Sequence, residues 1–322
     1  VYSAQVNFWN TLKKPIFVLA PMADVTDAAF RRIIAKYGKP DAMFTEFVSA
    51  DGLSRAPEEG RKKLLKDLEY SESERPIVAQ FFTSHPACMK EAAALARELG
   101  FDGVDINMGC PDKAVGRQGA GACLIKTPEI ARELIRAAKE GAGILPVSVK
   151  TRAGFNKVEI ESWLPELLAE EPAVITLHAR TRKEMSKVPA QWSLVKRAVE
   201  IRNSSGKKTL IFGNGDVKNL AEARERIKET GADGVMLGRA IFGNPWLFSE
   251  HIPTQSEKLN VLVEHTKLFE KLLGNTKNFA IMKKHYKAYV NGFDGAGELR
   301  AKLMETDNAS QVEKIVHEFL KA

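Results

Sequence analysis

The chain has 322 residues, 44% hydrophobic and 28% charged, a globular composition long enough for one large domain plus a small one. Its formal charge of +7, from 48 Lys+Arg against 41 Asp+Glu, suits a polyanionic partner because cations that neutralise phosphates release counterions, although charge alone does not separate this from a solvated basic surface. Three cysteines, Cys88, Cys110 and Cys123, exclude a disulfide framework and a paired C-x-x-C zinc site, which points to a reducing cytoplasm and to no metal. The opening VYSAQVNFWNTLKK has no basic segment followed by an apolar run, and no apolar stretch approaches the roughly 20 residues of a membrane helix, so neither a secretory signal nor a membrane span is expected.

From residue 16 to about 248, short apolar or β-branched runs alternate with amphipathic stretches. The runs are IFVLA (16–20), DAMFTEF (41–47), PIVAQF (76–81), GVDIN (103–107), ILPVSVK (144–150), AVITLH (173–178), TLIFGN (209–214) and GVMLG (234–238). They are too short for helices and read as strands buried on both faces. Between them lie helical patterns. HPACMKEAAALARELG closes at Gly100, and NLAEARERIKETG closes at Gly231. TPEIARELIRAAKEG is predicted to open with Thr127 as N-cap and Pro128 at the first helical position, and to close at Gly141. Eight strand–helix units in a row predict an α/β fold of the closed (β/α)8 TIM-barrel type; an open doubly wound sheet is the alternative, but no G-x-G-x-x-G follows the first strand.

After about residue 254 the strand signals stop. EKLNVLVEHTKLFEKLLG, NFAIMKKHYKAYVNGF, AGELRAKLMET and ASQVEKIVHEFLKA carry apolar residues at helical spacing. The expected organisation is a catalytic barrel over residues 1–250 and a small all-α bundle of three or four helices over 251–322, with the boundary near HIPTQSE.

In a (β/α)8 barrel function sits on the loops after the strands. The strand ends read Pro21–Met22, Glu46, Gln80, Asn107 with Cys110 beyond, Lys150 with Arg152, His178 with Arg180, Asn214–Gly215–Asp216, and Gly238–Arg239. Each has an ordinary reading: Lys150 as a surface lysine, His178 as a core imidazole, Gly238 as a turn. What favours a site is that polar groups recur at the same end of strand after strand. GNGD (213–216) and GRA (238–240) offer glycine N–H groups next to helix starts, where such barrels commonly hold a phosphate, and Arg239 can add a charge-assisted contact. In NMGCPDKAVGRQGAGACL (107–124) the glycines let the loop approach a ligand closely. Cys110 is the one cysteine on a loop at this end; Cys88 and Cys123 read as packing residues.

With these motifs in hand, the chain resembles the tRNA-dihydrouridine synthase family. The resemblance runs from APMADVTDAAFR through QFF, DINMGCP, VKTRAG, LHARTR, GNGD and GRA to KKHYKAYV, nearly the whole chain, and NMGCP followed by GAGA is its most specific part. The tail, with its later AGELR, looks closest to the bacterial B-type branch. The resemblance implies bound FMN, NADPH as reductant, and reduction of uridine in tRNA. Pro21 and Met22 would lie against the isoalloxazine, and Gln80 and Lys150 would bond its polar edge. His178, Asn214, Gly215, Asp216, Gly238 and Arg239 would form the rest of the cofactor site. Asn107 would position the uracil, Cys110 would be the general acid, and Arg152, Arg180, Lys283 and Lys284 would meet the RNA. Lys113, Arg117, Arg182, Lys183 and Lys287 are further basic residues for that surface, and the protein is expected to act as a monomer.

The chemistry matches these residue types. Hydride addition at uracil C6 leaves enolate-like charge that a proton at C5 quenches, and a thiol of ordinary pKa, roughly 8.5, is mostly protonated at neutral pH. The chain departs from the family at Ala179, where a glycine is usual, and in KEMSKVPAQW, where Lys187 and Val188 fall in a region that usually carries Tyr and Gly; this alters the expected shape of the loop after His178. The competing readings are an FMN barrel acting on a free pyrimidine, dihydrouridine synthesis on ribosomal RNA, and a non-catalytic RNA-binding protein. The last has no need of Cys110, Lys150 and the two glycine loops together.

Overall fold

A computed structural model describes residues 7–249 and 251–321; residues 1–6, where the expectation of no signal segment begins, lie outside it, as do 250 and 322. Eight strands form one sheet: β1 (Ile16–Leu19), β2 (Met43–Ser49), β3 (Ile77–Phe82), β4 (Gly103–Met108), β5 (Val147–Arg152), β6 (Val174–His178), β7 (Leu210–Asn214) and β8 (Gly234–Leu237). Every paired neighbour is parallel, and β1 pairs with β8 through Ile16 opposite Gly234. Between β1 and β2, Val18 bridges Ala42, and the Asp41 N–H donates to the Phe17 carbonyl at 2.9 Å. The sheet therefore closes into the (β/α)8 barrel rather than opening. Both faces are covered, which is why β3, β4, β7 and β8 are buried at every residue and are largely apolar.

The outer layer comprises α1 (Ala28–Tyr37), α2 (Ala50–Arg55), α3 (Glu58–Asp67), α4 (Pro86–Glu98), α5 (Lys113–Arg117), α6 (Pro128–Ala142), α7 (Ile160–Ala169), α8 (Trp192–Ser204) and α9 (Leu220–Thr230). Sequence signals fix several ends. Asn219 accepts from the Glu222 N–H at the start of α9, and Gly231, at φ 72°, ends it. The expected end of α6 at Gly141 is wrong: the helix continues through Ala142, and Gly143, at φ 62°, terminates it. Gly141 is there because α4 comes so close that a Cβ would overlap the Lys90 carbonyl. Thr127 occupies the N-cap position without a side-chain cap bond.

β2 also runs past its expected end. Its register with β3 shifts between Phe44 and Phe47, where Gln80 N–H donates to Thr45 Oγ1 at 3.1 Å. The irregularity places Glu46 inside the strand, its carboxylate directed at neighbouring segments.

No helix follows β8 directly. After a 3-10 turn (Arg239–Ile241) the chain reaches α10 (Gln255–Leu273), then α11 (Met282–Tyr289), α12 (Ala296–Met304) and α13 (Ala309–Lys321). Thr254 and Glu257 form a capping box that starts α10. Leu262, Phe269, Met282, Leu299 and Val312 form a core that also takes in Ala29 and Ile33 of α1 and Trp246. The helical segment thus buries part of its apolar surface on the barrel, each fully buried Leu or Phe side chain contributing about 1.5–3 kcal/mol. In this seam His265 and His285 are fully buried, with ring centroids 4.8 Å apart and Phe30 within 5.5 Å of both. None of their ring nitrogens has a hydrogen-bond partner among the described residues. Burial pushes His265 down to about 3 and His285 well below the usual imidazole range, where His265 and Lys284 push it further.

Candidate active site

Because all eight strands run the same way, their C-terminal ends share one rim. A pocket opens there between Ala20, Pro21 and Met22 after β1, Lys150 of β5, His178 and Arg180 of the β6 end, Asn214, Gly215 and Asp216 after β7, and Gly238 and Arg239 after β8. Its floor is polar and charged. Lys150 Nζ donates to Asn214 Oδ1 at 3.3 Å, and Asn214 Nδ2 donates to the Met236 carbonyl at 2.8 Å. Burial, with Arg152 nearby, pushes the Lys150 ammonium down to about 8, so it is still mainly charged at neutral pH. Arg180 Nη1 lies 3.1 Å from His178 Nε2. A guanidinium can only donate, so Nε2 accepts and the ring proton belongs on Nδ1. Burial, with Lys150, Arg152, Arg180 and Arg239 around it, holds the His178 pKa far below the usual range and keeps the ring neutral.

Gly213 and Gly215 are sterically required. Gly215 has φ 128°, and a Cβ there would stand 2.8 Å from Ala190 Cβ. The Trp192 ring covers Gly213 so closely that a Cβ would enter it, while Trp192 Nε1 donates to the Gly215 carbonyl at 2.9 Å. Asp216, at φ 56°, accepts from Ala190 N–H at 2.9 Å, from Arg239 Nη2 at 2.6 Å and from Arg180 Nη2. Burial opposes the Asp216 charge, but these donors and cations outweigh it and lower its pKa.

Beside the pocket lies the β4 loop. Asn107 Oδ1 accepts from the N–H groups of Gly109 and Cys110 at 3.1 and 2.9 Å. Gly121, at φ 62°, lets the following turn lie against Cys110, where a Cβ would stand 2.8 Å from the Cys110 carbonyl. Cys110 is half-buried against Phe82, Val115 and Ala120. Burial raises its thiol above the ordinary range, opposed by the Asp112 backbone N–H and by Lys150 and Arg152, while the Asp112 charge adds to the rise.

Most residues expected at the site meet in the pocket; Gln80, Asn107, Cys110, Arg152, Lys283 and Lys284 stand outside its lining. Gln80 is fully buried, donating to Asp105 at 2.7 Å and accepting from Asn107 at 3.2 Å. The two arginines expected at the substrate are turned inward. Arg152 donates to the carbonyls of Gly109, Thr181 and Met185 at 2.8, 3.0 and 3.0 Å. Arg180, 2% exposed, donates to the Val188 carbonyl at 2.6 Å as well as to His178 and Asp216. They tie together the loops after β4, β6 and β7, and so shape the atypical segment that follows His178. Lys284 is exposed and Lys283 half-buried, both on α11. Asp105 and Lys277 were missed. A carboxylate inside an otherwise apolar strand was a usable signal for Asp105, since a buried charge needs partners; nothing local marks Lys277.

Among the described residues no cluster of three or more His, Cys, Asp or Glu could hold a metal ion, and no helix is long and apolar enough to cross a membrane.

The family model for dihydrouridine synthase (Dus) matches residues 18–322. The chain belongs to the dihydrouridine synthase family. A probable tRNA-dihydrouridine synthase of Staphylococcus aureus is 39% identical over 319 residues, 97% of this chain and 95% of that one. The probable tRNA-dihydrouridine synthase 2 of Bacillus subtilis is 39% identical over 317 residues, 97% of this chain and 96% of its own. Among solved structures, histamine dehydrogenase from Rhizobium sp. 4-9 (TM-score 0.55, 14% identity) shares the fold over 78% of this chain and 48% of its own. A 2-naphthoyl-CoA reductase (TM-score 0.57, 10% identity) does so over 73% and 49%. The chain therefore spans about half the length of these two larger proteins.

Proposed function

We propose that this protein reduces uridine in transfer RNA to 5,6-dihydrouridine, using bound FMN with NADPH as reductant. The reading is supported above all by one juxtaposition: the cationic Lys150, the neutral His178 and the glycine edge at Gly215 and Gly238 share a pocket, with the protonated Cys110 thiol on the adjoining loop. These residues suit a flavin phosphate. A Cβ at Gly215 would crowd the loop next to His178, and Arg239 stands exposed at the rim, its carboxylate partner Asp216 beside it.

In this reading Pro21 and Met22 would pack on the flavin face and Lys150 would serve its polar edge, with Gln80, fully buried and bonded to Asp105 and Asn107, standing behind that edge. His178, through Nδ1–H, joins Asn214, Gly215, Gly238 and Arg239 along the ribityl chain and phosphate. When bound, the flavin supplies the hydride that uracil C6 receives. Lys150 then offsets negative charge beside the ligand, the electrostatic part of catalysis. Cys110 Sγ–H gives its proton to C5, breaking the S–H bond as the C–H bond forms, and solvent returns a proton to the thiolate. Asn107 orients the uracil from the adjacent strand end, and Arg152 and Arg180 hold the loops around it. Lys113, Arg117 and Lys183 are exposed near the β4 and β6 loops, as are Lys284 and Lys287 on α11; with Lys283 they make the surface for RNA backbone, the helical segment 251–322 being the RNA-binding part. The uridine must leave its stack to reach the pocket.

The test is anaerobic: reduce the bound flavin with NADPH, add transfer RNA lacking dihydrouridine, and follow reoxidation in the visible spectrum. Reoxidation that requires transfer RNA, with dihydrouridine found by mass, is the expected result. Reoxidation only with ribosomal RNA or a free pyrimidine would transfer the activity to that substrate, and a protein that binds no flavin would overturn the cofactor assignment.

A further inference from the structure

Asp105 lies on β4, fully buried inside the barrel. Its Oδ1 accepts from Ser148 Oγ at 2.5 Å and its Oδ2 from Gln80 Nε2 at 2.7 Å. An ionised carboxylate accepts and never donates, so it dictates which end of the Gln80 amide faces it. With Nε2 turned to Asp105, Oε1 is the atom left for the other neighbour, and it accepts from Asn107 Nδ2 at 3.2 Å. That in turn leaves Asn107 Oδ1 for the N–H groups of Gly109 and Cys110. Four links thus carry one polarity from the barrel interior to the loop that holds the thiol. A reversal at any link would set NH2 against N–H at the end of the chain, leaving buried donors unpaired.

We infer that Asp105 is a positioning residue: by fixing the direction of the Gln80 and Asn107 amides it holds the Gly109–Cys110 backbone, and so the thiol, in place. The catalytic consequence rests on the proposed role of Cys110; the hydrogen-bond relay does not.

The test uses the full-length protein and reads amide hydrogen exchange at Gly109 and Cys110, with and without added FMN. Asp105→Asn keeps the shape but offers Gln80 a donor as well as an acceptor. Exchange at the two amides is expected to rise about fivefold or more, the equivalent of losing one net hydrogen bond. Adding Gln80→Glu restores a single polarity, because the carboxylate it introduces accepts both from the new amide at position 105 and from the Asn107 amide. The double variant should return to wild-type protection. If the single variant fails to fold, a folded and protected double variant supports the inference. Unchanged exchange in Asp105→Asn, or a double variant no better than the single, would overturn it. The readout needs no RNA and no turnover, so the relay can stand or fall independently of uridine reduction.

Discussion

Lys277 Nζ lies 2.6 Å from Glu46 Oε2, joining the connection after α10 to the second barrel strand. The other Glu46 oxygen accepts from the Asp24 N–H at 2.5 Å, in the loop that begins at Pro21 and Met22. Lys277 also meets Asp67 at 3.0 Å, and the surrounding carboxylates outweigh burial and raise its pKa. One ammonium therefore fastens the helical segment, the end of α3 and the rim of the pocket.

Removing one partner of a largely buried pair leaves the other charge unmatched. Lys277→Met should destabilise the protein by about 3 kcal/mol, whereas Lys277→Met with Glu46→Gln should lose less. Chemical denaturation of these two variants and of Glu46→Gln alone compares them directly. A double variant whose loss equals the Lys277→Met and Glu46→Gln losses added together would mean that the pair is not coupled.

The Lys150 charge is present below about pH 8 and disappears as the pH rises through that value. A ligand anion that depends on it should bind more weakly above pH 8, approaching about tenfold per pH unit well beyond it. Fluorescence titration of FMN between pH 7.5 and 9.5 measures this, and Lys150→Met should flatten the profile. A wild-type affinity that is constant over the range would separate Lys150 from the bound charge.

Cys110 is an acid whose pKa burial raises, so its proton is available throughout the neutral range and is lost only at alkaline pH. Cys110→Ala should leave flavin content and NADPH oxidation intact while slowing uridine reduction by about 10² to 10⁴-fold. Single-turnover reoxidation by transfer RNA separates the two half-reactions. Full-rate reoxidation in the variant would move the acid role elsewhere.

The buried histidines of the seam give the opposite pH sign. Their folded pKa values are depressed, so their contribution is fully present above the unfolded value of about 6.5 and is lost as the pH falls below it, by up to about 1.4 kcal/mol per pH unit for each ring. Urea unfolding from pH 7 down to 4.5 should show this slope. His265→Leu should make it shallower; an unchanged slope would place the acid sensitivity elsewhere.

Much of the barrel was legible because its strands are covered on both faces and its glycines fall where the chain turns. Gly141 misled for a physical reason: a glycine demanded by the approach of two helices looks the same in sequence as one demanded by a helix end. The site's residue types were legible too, since polar groups collect at one end of every strand. Direction was not. Arg152 and Arg180 read as free cations until their partners are seen: the carbonyls of Gly109, Thr181 and Met185 for the first, and Val188 of its own loop with Asp216 of a distant one for the second. The β2 register shift left no mark in DAMFTEF, although it determines where Glu46 points. Lys277 sits in an unremarkable connection, and only tertiary packing brings it to the carboxylates of Glu46 and Asp67.

Asp216 acts as a resident counter-ion for Arg239. In the proposed reading, a phosphate at this rim would displace one anion by another instead of meeting a bare cation, so binding would become an ion exchange within the pocket. Part of the Coulombic gain is returned in freeing the carboxylate, which keeps Arg180 as its second partner. Such an exchange would moderate affinity and its dependence on salt, while Lys150 and Arg180 keep the pocket net positive.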